Sequence, residues 1–184
     1  MIAPELFDTH AHLHFPEFAG DLDAVLARAR AAGVRRMVTI GTDVATSRAA
    51  AALAAREPDV WAAVGIHPHE AADGPLERGG IMHCFSGDVA LARLCIELGL
   101  LVSLAGPVTY PKPGALPDVA RAIPADRLVV ETDCPFLPPQ PYRGKRNEPA
   151  YLAITAARVA ELRGEPLADL AGRMSENARA LFRL

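Results

Sequence analysis

The segment from Asp8 to His14 holds four potential metal ligands at alternate positions: Asp8, His10, His12 and His14. Side chains two positions apart point to the same face of an extended strand, so these four groups would share one face. Two imidazoles on a rigid strand end suit the binding of one divalent metal ion. An isolated His-x-His segment is also compatible with ordinary surface histidines. The rest of the chain therefore has to decide between these two interpretations.

The remaining histidines and a late aspartate also follow apolar runs that read as strands. His67, His69, His83 and Asp133 lie at or just past predicted strand ends. Active sites of α/β proteins gather at the carboxyl ends of parallel strands, so we expect these groups to converge. Two histidines and one carboxylate form a three-ligand metal site with positions left for water. Glu131 shares the strand face of Asp133 and is expected either to orient a ligand histidine or to hydrogen-bond inside the barrel.

A basic loop follows Asp133. Arg143, Lys145 and Arg146 place three cations within four residues, next to Tyr142. Guanidinium groups match phosphate geometry, and an aromatic ring can stack on a nucleobase. A lone charge cluster is also compatible with a solvated loop, but its position after Asp133 favours binding of a phosphorylated substrate.

Short apolar strands alternate with helical segments, which predicts parallel strands in a sheet or barrel within a single domain over residues 1–184. Strands are expected near residues 6, 37, 62, 82, 102 and 130, and helices over 17–32, 46–56, 88–98, 116–123, 151–163 and 167–182. Thr46 or Ser47 is the expected N-cap of the second helix. A complete (β/α)8 barrel has eight strands. Only 13 residues separate Ile66 from Gly80, too few for a crossover helix, so the spacing indicates a missing piece.

Composition narrows the possible classes of protein. A net charge of −3 argues against broad, non-specific nucleic-acid binding but allows a local basic site. The three cysteines form no Cys-x-x-Cys pair, so reduced thiols in a cytoplasmic protein are expected. No apolar run is long enough to cross a bilayer and no signal peptide is evident, so we expect neither a membrane nor an obligate protein partner. With only two lysines, Schiff-base chemistry or a carboxylated lysine has few candidates.

Five motifs together resemble the TatD family of metal-dependent deoxyribonucleases, which are amidohydrolase-like TIM barrels. They occur in the family's order: Asp8-Thr9-His10-Ala11-His12-Leu13, Gly65-Ile66-His67-Pro68-His69, His83-Cys84-Phe85-Ser86-Gly87, Glu131-Thr132-Asp133-Cys134-Pro135-Phe136-Leu137 and Tyr142-Arg143-Gly144-Lys145-Arg146-Asn147-Glu148-Pro149.

The resemblance implies roles for particular residues. His10, His12 and Asp133 match ligands of the family's first metal site, and His83 matches one ligand of the second. His67 resembles a residue near the substrate phosphate. Asp133 would also take the proton of the attacking water. The implied activity is cleavage of DNA phosphodiester bonds with divalent Mg, Mn or Zn ions, two of them in the family.

The chain departs from the family pattern near residues 76–79, where two βα units, one bearing a metal-bridging Glu and the other a His ligand, have no counterpart. We therefore expect an α/β, TIM-barrel-type metal-dependent hydrolase with six of eight βα units, one weakly bound metal ion and reduced nuclease activity. Either the protein has lost these units, or the natural protein is longer than 184 residues. Two alternatives stay open: an amidohydrolase acting on amide or ester bonds, and a catalytically impaired remnant that binds a partner or folds poorly.

Overall fold

The computed structural model describes residues 5–64 and 79–184, and six strands occur there at the six predicted places. Their bounds are Leu6–Ala11 (β1), Val34–Ile40 (β2), Val60–Ala63 (β3), Gly80–Met82 (β4), Leu100–Leu104 (β5) and Leu128–Val130 (β6). Every pairing between neighbouring strands is parallel. The alternation of short apolar strands with helices therefore produces the parallel α/β architecture that the sequence predicts.

The strands form two sheets, ordered β1-β2-β3 and β4-β5-β6. The segments that follow β1 and β6 join the sheets, because the Asp133 N–H donates to the His10 carbonyl and the His12 N–H donates to the Cys134 carbonyl, both at 2.8 Å. On the opposite side, β3 and β4 pair with each other nowhere in residues 5–64 and 79–184. The described strands are therefore arranged as a barrel that is continuous at β6–β1 and open between β3 and β4.

The described residues form six α-helices around the strands: Leu22–Ala31 (α1), Val44–Arg56 (α2), Val89–Glu97 (α3), Leu116–Ala122 (α4), Leu152–Arg163 (α5) and Leu167–Phe182 (α6). None in the described part of the chain has the length and apolar character needed to cross a membrane. The first helix begins later than predicted, because Pro16–Phe18 forms a separate 3-10 turn.

The N-cap predicted for the second helix is wrong. Asp43 is the N-cap, and its carboxylate accepts the Thr46 N–H at 2.7 Å, while the Thr46 hydroxyl accepts the Asp43 N–H at 3.0 Å. Thr46 is therefore the third helical residue of a reciprocal capping box rather than the cap itself. The N-cap therefore lies three or four residues before the predicted one, and the helix begins correspondingly earlier.

Every strand contributes to an apolar layer inside the barrel, and the end of α6 closes this layer. Its members from the strands are Phe7, Val38, Ile40, Trp61, Ala63, Ile81, Leu101 and Val129, packed with Ala178, Leu181 and Phe182. Glu131 lies two residues after Val129, directly past the end of β6, and is completely buried. The larger core lies between the strands and the surrounding helices. The polar carboxyl ends of the strands are thus supported by apolar layers on both sides.

Candidate metal centre

Three side chains meet where β1 and β6 end. The Nε2 atoms of His10 and His12 are 3.2 Å apart, and Asp133 Oδ1 lies 3.4 Å from His10 Nε2 and 3.5 Å from His12 Nε2. Tetrahedral ligands about 2.0–2.1 Å from a common ion are separated by about 3.3 Å. The three donor atoms therefore form a triangle of the size that one small divalent cation requires, with a fourth position open.

The orientation of both imidazoles suits such an ion. His12 Nδ1 is 3.0 Å from the Ile40 carbonyl, which favours a proton on Nδ1 and a lone pair on the Nε2 that faces His10 and Asp133. The Phe15 ring lies against His12, with centroids 4.6 Å apart. Burial lowers the pKa of His10 to about 4, so this imidazole is neutral and able to donate a lone pair at neutral pH.

Asp8 does not join the histidines on a common face, contrary to the sequence expectation. Asp8 pairs with Met37 of β2, and Ala11 pairs with Thr39. Two residues of β1 therefore lie between these pairs where β2 has only one, so β1 contains one extra residue. Such a bulge re-aims side chains and is frequent beside active sites. His14 is also directed elsewhere, because its Nδ1 lies 2.9 Å from the Thr39 hydroxyl.

The Asp8 carboxylate instead holds the end of β6 against β1. It accepts the Thr132 N–H at 2.9 Å and the Thr132 hydroxyl at 2.5 Å, inside the protein and away from solvent. Burial raises the pKa of Asp8 to about 7. Asp133, the residue after Thr132, has a left-handed backbone with φ of 57°. A short polar side chain tolerates this conformation better than a branched one does. Asp8 and this turn together set the position of the Asp133 carboxylate.

Asn147 fastens the loop that follows Asp133. Its side-chain amide donates to the carbonyls of Thr132 at 2.8 Å and Phe136 at 2.6 Å. The same loop packs so closely on Gly106 that a Cβ there would lie 2.1 Å from the Leu137 carbonyl oxygen. Sequence reasoning missed Asn147 as a residue that supports the site, because nothing in its local sequence indicates partners 11 and 15 residues away.

His83 and Glu131 lie beside the three-residue cluster. The His83 ring stacks on His10 at 4.3 Å with nearly parallel planes, and its Nδ1 lies 3.7 Å from Glu131 Oε1. Glu131 Oε1 also accepts the Cys84 N–H at 2.6 Å. Hydrogen bonding to Glu131 raises the pKa of His83. Both roles expected for Glu131, orienting a histidine and hydrogen-bonding inside the barrel, therefore stay predictions.

His10, His83 and Glu131 also lie close enough together to surround a cation. The lone pairs of stacked imidazoles lie in parallel planes, however, so His10 and His83 cannot both point to one ion unless a ring turns. This second set is consequently a poorer cation site than His10, His12 and Asp133.

The basic loop divides into a structural and an exposed part. Arg146 forms a bidentate ion pair with Asp21 at 2.7 and 2.8 Å, and its guanidinium lies over the Phe18 ring. Hydrogen bonding to Arg146 lowers the pKa of Asp21. Arg143 and Lys145 are exposed to solvent, and Arg143 lies 4.3 Å above the Tyr110 ring. Phosphate binding by these cations stays a prediction, and Arg146 is already engaged with an acidic partner. His67 and His69 lie outside the described residues.

Comparison with known proteins gives consistent matches. The family model described as "TatD related DNase" matches residues 7–77 and 70–183. A Bacillus subtilis protein named metal-dependent hydrolase YabD is 31% identical, with 97% of this chain and 99% of that protein aligned. A protein from Enterobacter lignolyticus named 3'-5' ssDNA/RNA exonuclease TatD is 30% identical, with 96% of this chain and 98% of that protein aligned.

The solved structure of the TatD homologue YJJV from Escherichia coli K12 superposes with a TM-score of 0.91 at 25% identity and covers all of both chains. The alignment with the Bacillus protein spans 253 residues, more than the 184 of this chain, so it passes over residues of the relative that have no counterpart here. The structural neighbours share the TIM-barrel, amidohydrolase-like fold. The chain belongs to the TatD family of metal-dependent hydrolases.

Proposed function

We propose that this hydrolase cleaves phosphodiester bonds of DNA, using one divalent cation held by His10, His12 and Asp133. The observation that carries the proposal is the triangle of donor atoms with sides of 3.2, 3.4 and 3.5 Å. The nuclease name of the Enterobacter relative supports a nucleic-acid substrate. Two imidazoles with one carboxylate suit Zn²⁺ or Mn²⁺ better than Mg²⁺, which prefers oxygen ligands.

Each residue around the cation would have its own role in the proposed hydrolysis. A bound divalent cation lowers the pKa of a water molecule and polarises a phosphoryl oxygen. Asp133 directs Oδ1 to both imidazoles, so its other carboxylate oxygen is the natural acceptor for the proton of the attacking water. His10, whose pKa is lowered by burial, and His12 would each offer an imidazole nitrogen to the cation. Arg143 and Lys145 are the exposed cations of the neighbouring loop and would bind substrate phosphates, with Arg146 holding that loop to Asp21.

We further propose that the chain is one hydrolase domain with an internal deletion near residues 76–79. The family model matches it in two pieces that meet within residues 70–77, which supports this interpretation. His83 then has neither the bridging Glu nor the second His that the family resemblance implies, and its stacking on His10 disfavours a second cation. We expect one cation per chain and slower hydrolysis than in a complete family member.

A direct test is digestion of a 3′-labelled single-stranded DNA and the matching RNA, with Mn²⁺, Mg²⁺ or Zn²⁺ added to metal-free protein. Purified His10→Ala and His12→Ala proteins should lose cleavage, because each removes one donor of the triangle. His14→Ala is the matched control, since His14 contacts Thr39 rather than the ligand set, and it should retain activity. Equal cleavage by all four proteins would indicate a contaminating nuclease and would remove the support for the proposal.

A second candidate function is a catalytically impaired protein that still binds nucleic acid. It is favoured by the open barrel between β3 and β4, which leaves the strand edges in the described part of the chain unpaired on that side. Binding of the labelled oligonucleotide without cleavage, under every metal condition above, would select this alternative. An intact mass above 19.5 kDa for the natural product would instead restore a complete barrel.

A further inference from the structure

We propose that Phe136 is a stacking platform for an unpaired nucleobase of the substrate, an inference that rests on the proposed nucleic-acid hydrolysis. Phe136 lies three residues after Asp133, and 48% of its surface is exposed to solvent. Its ring centroid is 6.2 Å from His12 and 6.3 Å from Phe15. An exposed phenyl ring therefore lies directly beside the proposed ligands.

The main chain that carries this ring is held on both sides. The Phe136 N–H donates to the Asp133 carbonyl at 2.9 Å, and the Phe136 carbonyl accepts the Asn147 amide at 2.6 Å. The next residue, Leu137, has a left-handed backbone with φ of 50°, a strained conformation for a branched side chain. The structure thus holds an apolar ring in a fixed place and in contact with water. A ring held in this way loses little additional conformational entropy when a ligand covers it.

The position of the ring fits one nucleotide. A base is separated from its own phosphate by a single sugar, so a phosphate at the cation places a neighbouring base at the rim where Phe136 lies. The Phe15 ring stacks on His12 and lies beside Phe136, so the two phenyl rings are neighbours at the proposed ligands. The exposed Arg143 and Lys145 belong to the loop that continues from Phe136 and provide positive charge for the backbone.

Stacking on a phenyl ring defines a substrate class. Every base has a π-face, so this contact tolerates any sequence, but the base must be free of its partner strand. The platform therefore selects single-stranded nucleic acid over duplex and does not distinguish deoxyribose from ribose.

The test is a scan with single-stranded oligonucleotides in which one abasic site is moved through every position. Affinity is measured by fluorescence anisotropy with Ca²⁺, with the length of the oligonucleotide checked by gel after each measurement. The wild type is compared with Phe136→Ala, Phe136→Leu and Phe136→Trp. On the intact oligonucleotide, we expect Phe136→Ala to weaken binding by about 5- to 150-fold, the range for loss of one stacked base. Phe136→Leu should resemble Phe136→Ala, because it keeps apolar volume without a π-face, whereas Phe136→Trp should bind at least as tightly as the wild type.

The abasic scan identifies the stacked base. At one position, removing the base should weaken the wild type as much as Phe136→Ala does, and the two changes together should add nothing further. If Phe136→Ala binds every oligonucleotide as the wild type does, or loses the same factor at every abasic position, the stacking inference is wrong while nucleic-acid hydrolysis stands. If the wild type binds no single-stranded oligonucleotide at all, both proposals fail.

Discussion

At the scale of single residues, the separation of the three proposed ligands depends on a carboxylate that is not one of them. Asp8 bonds both the N–H and the hydroxyl of Thr132, the residue before Asp133. The Asp133 N–H bonds the His10 carbonyl, so the ligand-bearing segments are linked by main chain and side chain at the same point. The Asp8 carboxylate also accepts the His10 N–H at 3.4 Å, so it contacts the main chain of both ligand-bearing segments.

Replacing Asp8 should therefore affect both stability and metal affinity. Asp8→Ala leaves two buried donors of Thr132 without an acceptor, and we expect a loss of about 2–4 kcal/mol in the free energy of unfolding. Affinity for Zn²⁺ should fall about 10- to 100-fold, as for other residues that support metal ligands. Urea unfolding of the metal-free protein and competition with a zinc chelator measure the two quantities.

A suitable control is Asp88→Ala, which removes the N-cap of α3, an acceptor for the Leu91 N–H. It should cost about 1 kcal/mol and leave zinc affinity unchanged. If both variants bind Zn²⁺ as tightly as the wild type, Asp8 does not position the ligands.

The ligand count also makes a prediction about stoichiometry. Elemental analysis after dialysis against excess Mn²⁺ or Zn²⁺ should find one ion per chain, because among residues 5–64 and 79–184 only His10, His12 and Asp133 form a triangle with suitably directed lone pairs. His12→Ala should reduce this value towards zero, whereas His83→Ala should leave it near one. Two tightly held ions in the wild type would show that His83 and Glu131 support a second site after all.

At the scale of elements, α1 links the loop that follows Asp133 to the beginning of β3. At one position of the helix, Arg28 pairs with Glu148, with its closest contact at 2.6 Å. Arg30, two residues further on and on a different side of the helix, forms a bidentate pair with Asp59 at 2.6 and 2.7 Å. Bidentate arginine–carboxylate pairs fix direction as well as distance. The helix therefore couples the position of the site loop to the sheet that carries His10.

The Arg30–Asp59 pair should give stability a defined dependence on pH. Hydrogen bonding to Arg30 lowers the pKa of Asp59 below its ordinary 3.8. A carboxyl group with a lowered folded-state pKa stabilises the protein above pH 3.8, and this contribution disappears as the pH falls through the folded-state pKa. Asp59→Asn should therefore cost about 1 kcal/mol at pH 7, since the pair is partly exposed to solvent.

Urea unfolding of the wild type and Asp59→Asn at pH 7, 5 and 3 would show this dependence. The difference between the two proteins should be equal at pH 7 and 5 and smaller at pH 3. A matched control is Asp126→Asn, whose partner contact is the longer 3.7 Å one with Arg127 at an exposed turn. A pH-independent difference for Asp59→Asn would mean that the variant loses packing rather than an ion pair.

At the scale of the whole molecule, the exposed apolar side chains concentrate on the side of the described structure where β3 and β4 are not paired. Of the eight large hydrophobic residues exposed in the described ranges, six lie on α2, α3, β3 or β4 or directly after one of these elements: Val44, Val64, Met82, Leu91, Leu94 and Leu98. Unpaired strand edges and exposed leucines both favour association between chains. Within residues 5–64 and 79–184, we therefore expect association between chains chiefly on this side, between β3 and β4.

Polar substitution of the α3 leucines should reduce this association. The wild type should show a concentration-dependent increase in mass by light scattering after size exclusion, and Leu94→Glu with Leu98→Glu should reduce it because charge opposes contact at that face. Leu184→Glu serves as the control, since Leu184 is equally apolar and exposed but lies at the C-terminus. A wild type that stays monomeric at all concentrations would contradict the prediction.

The sequence by itself determined the local features of this protein. Six apolar runs became six parallel strands because strand formation follows from β-branched and apolar residues bounded by turn residues. The expectation that His10, His12 and Asp133 gather at one end also followed from sequence, since all three come at the carboxyl ends of predicted strands. The family motifs added the expected chemistry of that end.

Only the tertiary structure decided which neighbouring groups face the site. Asp8 and Thr132 are 124 residues apart, and a bulge in β1 separates Asp8 from the histidines; neither can be read from a local pattern. The pairing of Arg146 with Asp21 and the exposure of Phe136 likewise depend on how distant segments pack, which no local pattern specifies. Strand periodicity specifies which residues alternate along one segment, whereas hydrogen bonds between distant segments depend on register and on a bulge that only the packed sheet defines.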